Sequence, residues 1–158
     1  MQLSLHFNSA EFERDRCSMP GGAAMAYRQL CEIILEPLRA EFAEPFVITS
    51  GYRSAEINAE IGGAPSSQHI ATAEYCAADG YFVSHRRSMQ PVFDWLRMKS
   101  GLAFDQLILE HGKYGDVIHI SWSRRPRRMA LEGATFNQSA YQARYVAPVV
   151  PGAAALDT

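Results

Sequence analysis

The run DVIHISW (residues 116–122) alternates residue by residue. In an extended chain, Ile118, Ile120 and Trp122 fall on one side and Val117, His119 and Ser121 on the other. A strand of this kind gives its apolar side to a core and leaves His119 on the opposite face. FDQLILEHG has the same strand character and is separated from it by the turn-rich HGKYGD. Two more β-type stretches lie upstream, FVITSGYRS, which stops at Gly51, and CAADGYFV. Helical spacing governs other stretches. In AMAYRQLCEIILEPLRAEF, Tyr27, Leu30, Ile33, Ile34 and Leu38 share a face, and Pro37 is predicted to kink the helix or end its regular part. SAEINAEIGG reads as a short helix begun by Ser54 and ended at Gly62-Gly63. MQPVFDWLRMKSG reads as an amphipathic helix ended by Gly101, and LSLHFNSAEFER as an extended piece leading into a helix capped at Asn8 or Ser9. Helices first, then strands mixed with one helix, predict an α+β fold with a small antiparallel sheet rather than regular βαβ units. Pattern fades near Ala130. The expected division is a domain over 1–130 and an extended or partly disordered tail over 131–158.

The chain of 158 residues has the size of one domain, and its 47% apolar content is enough for a core without disulfides. Cys17, Cys31 and Cys76 are odd in number and lack CxxC spacing, so free thiols are expected rather than a disulfide framework or a cysteine zinc site. A net charge of -2 gives no general attraction to nucleic acid or anionic lipid. The run RRPRR (residues 124–128) is read as a solvated strand end. No stretch approaches the ~18 continuous apolar residues of a membrane span. The start, MQLSLHFNSAEFERDR, lacks the basic-then-apolar order of a secretory signal, so synthesis in the cytoplasm is expected.

Three residues could share a metal. His69 lies in the serine-rich loop before the CAADGYFV strand, Asp79 lies within that strand, and His119 lies on the non-core face of its own. Two imidazoles and a carboxylate, with a fourth position left to water, make a catalytic zinc site. Taken alone, each also has a plain structural reading as a satisfied or exposed polar residue. Asp116, three residues before His119, could act as general base from the strand entrance, or serve as an ordinary turn residue. Arg53, just after Gly51, could grip a carboxylate or a developing oxyanion, or pair with a nearby glutamate.

The segments ITSGYRSAEINAEIGGAPSSQH, AADGY, FDQLILE and VIHISW, in that order, resemble the M15 family of zinc peptidases. These are D-Ala-D-Ala carboxypeptidases and phage L-Ala-D-Glu endopeptidases with a hedgehog-type fold. The resemblance implies zinc held by His69, Asp79 and His119, a catalytic acid at Asp116, an electrostatic role for Arg53, and a substrate-binding hydroxyl at Ser67. It further implies action on the peptide stems of peptidoglycan, after release from the cytoplasm or as part of a virion, with phage virion or lysis proteins as partners. The chain departs from the family spacing. The usual pattern is HxxGxAxD, whereas three extra residues and no glycine lie between His69 and Asp79. This insertion offers Glu74 as a substitute ligand and supports an alternative reading, a non-catalytic structural or wall-binding module. Glu110, which ends FDQLILE, competes with Asp116 for the role of base.

Overall fold

The computed structural model describes residues 1–13, 17–134 and 144–146. After the capping box of Asn8 and Glu11 comes helix α1 (Ser9–Phe12). A long helix follows in two α-helical parts, α2 (Gly21–Leu30) and α3 (Glu36–Phe42), joined by a wider π-type turn over Cys31–Leu35. The turn has a local cause. Pro37 has no N–H to offer Ile33, and the Glu36 N–H reaches back five residues to Cys31. The helix therefore widens ahead of the proline and continues past it.

Strand β1 (Phe46–Ser50), helix α4 (Ala55–Glu60) and strand β2 (Tyr75–Phe82) come next, then α5 (Gln90–Asp94), which runs into a second π-type turn over Trp95–Lys99. Ser54 caps α4 through its hydroxyl, and Gly62, at φ 71°, takes the left-handed turn just after it. Strands β3 (Gln106–Gly112), β4 (Gly115–Ser123), β5 (Met129–Ala134) and β6 (Arg144–Val146) complete a six-stranded sheet in the order β1-β2-β4-β3-β5-β6. Every neighbouring pair is antiparallel except β3 and β5, which run parallel. The fold is α+β with a mostly antiparallel sheet, as the element order predicts. The boundary expected at residue 130 falls inside β5, and residues 131–134 and 144–146 belong to the sheet; the rest of the expected tail lies outside the described residues.

The helices cover one face of the sheet. Cys76, Ala78, Phe82, Leu107, Leu109, Ile118 and Ile120 meet Tyr27, Leu30, Ile34 and Leu38 from the long helix, and Met89, Val92, Phe93 and Leu96 from the region of α5. Each Leu, Ile, Val, Phe or Met side chain among them contributes about 1.5–3 kcal/mol relative to leaving it in water. Cys31 and Cys76 are buried free thiols, and burial pushes both well up from their ordinary pKa. No helix among the described residues is long and apolar enough to cross a membrane. The opposite face of β2, β4 and β3 carries the polar residues Asp79, His119, Ser121, Gln106 and Glu110.

Candidate metal centre

One rung of the sheet sets the site. Asp79 on β2 pairs with His119 on β4, and His119 pairs with Ile108 on β3. Directly opposed residues share a face with their Cβ atoms about 5 Å apart, so the Asp79 and His119 side chains meet by construction. His119 Nδ1 lies 2.8 Å from Asp79 Oδ1. On the other side of Asp79, β1 carries an irregularity between Ile48 and Ser50 that sets Ser50 opposite Asp79.

His69 is delivered by the loop above this rung. Its backbone carbonyl accepts from the Arg53 N–H at 3.0 Å, which ties the SSQH loop to the SGYRS turn. Its Nδ1 lies 2.7 Å from the Gly51 carbonyl, and its Nε2 lies 3.3 Å from Asp79 Oδ1. A carbonyl only accepts, so Nδ1 carries a hydrogen and Nε2 is the nitrogen turned toward the carboxylate. Gly51 has to be a glycine for a further reason: a Cβ there would stand 2.5 Å from the Phe12 carbonyl oxygen.

His69, Asp79 and His119 thus offer three ligand atoms within 4.8 Å of one another. An Nε2 nitrogen and a carboxylate oxygen at this distance attract only with a proton or a cation between them. Ligand atoms of a tetrahedral ion with bonds near 2 Å stand about 3.3 Å apart, so the donor set fits a metal. Burial alone would raise the Asp79 carboxyl, but the His69 and His119 imidazoles beside it win and hold it well below the usual carboxylate range. Both histidines are buried, and His119 Nε2 has no hydrogen-bond partner among the described residues.

The three side chains line a cleft of about 500 Å³ together with Arg53, Ser67, Gln68, Gln106, Ile108, Glu110 and Arg127. Arg53 donates from Nη2 to Ser50 Oγ at 2.8 Å and lies 3.7 Å from Asp79 Oδ2, an ion pair within the cluster. Ser67 accepts the His69 N–H through its hydroxyl at 3.3 Å, shaping the loop at the cleft wall.

Asp116 does not join this group. Strand β4 begins at Gly115, so Asp116 is already inside the pleat, and three residues along a strand reverse the face. It points with Ile118 and Ile120 toward the helices, where Oδ1 meets His111 Nδ1 at 2.9 Å and Oδ2 accepts the Met89 N–H at 2.9 Å. The expectation of a general base at Asp116 is therefore corrected. Besides Asp79, the acid that lines the cleft is Glu110, paired with Val117 on the same face as His119. Glu74 is no substitute ligand either. It lies five residues before Asp79, about 16 Å along the strand, and pairs with Arg124 at 3.0 Å in the open. The extra residues form a bend ahead of β2, with the Thr72 N–H bonded to the Tyr75 carbonyl at 3.0 Å. His69 and Asp79 stay together.

Sequence reasoning passed over Gln68, Asp105 and Arg127. Asp105 is 1% exposed and accepts from Gln68 and Arg127 at once. An acid and an arginine separated by 22 positions give no local signal, and RRPRR was expected to be solvated.

An α+β sheet with two imidazoles and a carboxylate converging in an open cleft has the arrangement of a metal-dependent hydrolase. Residues 5–122 match the peptidase M15 family, and the chain belongs to that family. No curated protein matches it.

Proposed function

We propose that the protein is a zinc-dependent peptidase that hydrolyses peptide bonds in the stem peptides of peptidoglycan, in the manner of a phage or prophage lysin. The observation that carries this reading is the convergence of His69 Nε2, Asp79 Oδ1 and His119 Nδ1 on the floor of an open cleft. These atoms would hold the ion. Zinc supplies a Lewis acid that polarises a carbonyl and brings the pKa of water down to about 7. Glu110, on the cleft face, takes the proton of the attacking water and returns it to the leaving nitrogen. Arg53 supplies the positive charge for the oxyanion that develops as the carbonyl is attacked. Ser67, on the cleft wall, offers a hydroxyl to the substrate backbone. The choice of wall peptides rests on the family resemblance of the SGYRS, SxH and AAD segments.

Elemental analysis of protein purified without chelator tests the reading, run beside digestion of peptidoglycan followed by release of free amino groups. About one zinc per chain and measurable release are expected, both lost in His119→Ala. A chain that takes up no zinc even when it is supplied, and releases nothing, overturns the proposal.

A further inference from the structure

The cleft contains a second polar assembly, beside the His69–Asp79–His119 cluster. Asp105 is its hub. Its Oδ2 accepts from Gln68 Nε2 at 2.7 Å and from Arg127 Nη2 at 2.6 Å; its Oδ1 accepts from Arg127 Nε at 2.9 Å and from the Arg127 backbone N–H at 2.9 Å. The backbone is locked around it as well. Asp105 N donates to the Ser121 carbonyl at 2.8 Å, and Met129 N donates to the Asp105 carbonyl at 2.9 Å. Between Arg127 and Met129 the chain passes through Arg128 at φ 53°, a conformation side-chain-bearing residues seldom adopt.

Two features are more than the internal neutralisation of a buried acid requires. The guanidinium uses only its Nε/Nη2 edge on Asp105, and the side chain is 55% exposed on the cleft wall, with the Nη1 edge directed elsewhere. Gln68 has its amide orientation fixed, since only its NH₂ can donate to the carboxylate. That turns Oε1 the other way, where it is buried with no hydrogen-bond partner among the described residues. Arg127 and Gln68, which carry the cationic edge and the orphaned acceptor, are therefore both held by Asp105 Oδ2, with Gln68 one residue from His69.

We infer that Arg127 and Gln68 form a recognition site for an N-acylated amino acid that bears a free α-carboxylate. The Arg127 Nη1 edge binds the carboxylate, and Gln68 Oε1 accepts the amide N–H on the same α-carbon. This deepens the proposed peptidase reading and rests on it. In a peptidoglycan stem this chemistry occurs at the C-terminal residue and at a γ-linked D-Glu. The exposed Arg127 edge is held in place by Asp105, so its contribution is to binding in ground and transition states alike, and it appears in KM rather than in kcat.

The test uses zinc-loaded protein and the synthetic peptide L-Ala-γ-D-Glu-L-Lys-D-Ala-D-Ala, with two further forms amidated at the D-Glu α-carboxylate or at the C-terminus. A charge-assisted contact of this kind is lost at about ten- to a hundredfold in KM. The wild type is expected to show that rise for one amidated form with kcat unchanged, and the form affected identifies which carboxylate is bound. Arg127→Gln should show the same rise for the unmodified peptide and no longer distinguish the acid from that amide. Because Arg127→Gln leaves a buried Asp105 charge, the Asp105→Asn/Arg127→Gln pair, which keeps a Gln68 partner, is measured beside it. Equal KM for all three peptides with the wild type, or an acid preference that survives Arg127→Gln, overturns the inference and leaves the peptidase reading standing. A wild type that neither binds nor cleaves any of the three overturns both.

Discussion

Glu110 and Asp116 are six positions apart, and their surroundings separate their roles. Asp116 is 6% exposed on the helix side of the sheet, with its oxygens engaged by His111 and the Met89 N–H. Glu110 faces the cleft from β3. Replacing Glu110 with Gln keeps the size of the side chain but removes the proton acceptor. It is expected to retain bound zinc and reduce kcat by about 10²–10⁴-fold. Asp116→Asn is expected to lower thermal stability, because a charged hydrogen-bond acceptor is lost from a buried position, with kcat little changed. Side-by-side zinc content, melting curves and turnover of the two variants check this; a large loss of kcat in Asp116→Asn with full activity in Glu110→Gln would reverse the assignment. The misreading at Asp116 has a simple origin. Counting back from His119 treats the residue as lying before the strand, but the strand starts at Gly115, and the pleat decides the direction of the side chain. Whether the acid of β3 shares a face with His119 depends on register, which one strand's sequence does not contain.

At the scale of elements, most boundaries were legible because each has a local cause: Asn8 and Ser54 as caps, Gly62 and Gly101 at positive φ, and the β-type apolar runs of β3 and β4 on either side of a turn-rich HGKYGD. The parallel strand β5 was not legible. MALEGA has little alternation, and its place is set by partners on β3 rather than by its own pattern. A polar bridge also fastens this edge. His111 on β3 reaches Asp116 on β4 at 2.9 Å and Glu132 on β5 at 3.0 Å. The hydrogen bonds to Glu132 and Asp116 raise the His111 pKa above its ordinary value. A raised pKa means the folded protein holds that proton more tightly than the unfolded chain. The bridge's stabilisation is complete below the unfolded value of about 6.5 and is lost as pH rises through the higher folded value. Melting temperature should therefore fall from mildly acid to mildly alkaline pH, and the His111→Gln variant should lose this part of the slope. An unchanged slope in the variant would assign it to other groups.

For the whole molecule, the sheet divides labour between its faces. The apolar core lies on the helix side and does not include the metal-type cluster. The fold is therefore expected to stand without the ion: chelation should leave the far-ultraviolet circular dichroism intact while abolishing activity. An ion that binds only the native state still adds stability, about 2.7 kcal/mol at a hundred times Kd. In a chain of this size that corresponds to a shift of roughly 5–10 °C on restoring zinc, absent in His119→Ala. Unfolding on chelation would show that the core does not suffice.

The bend over residues 70–74 has a consequence of another kind. The Arg53–His69 backbone bond anchors the loop on one side, and the pairing of Tyr75 with Ser123 starts the strand on the other. Length gained or lost between those anchors is absorbed before either ligand is disturbed. A signature that counts residues from the histidine to the aspartate would pass over this chain. One written in terms of which backbone groups are paired would recognise it, and would also tolerate relatives whose bend is shorter or longer still.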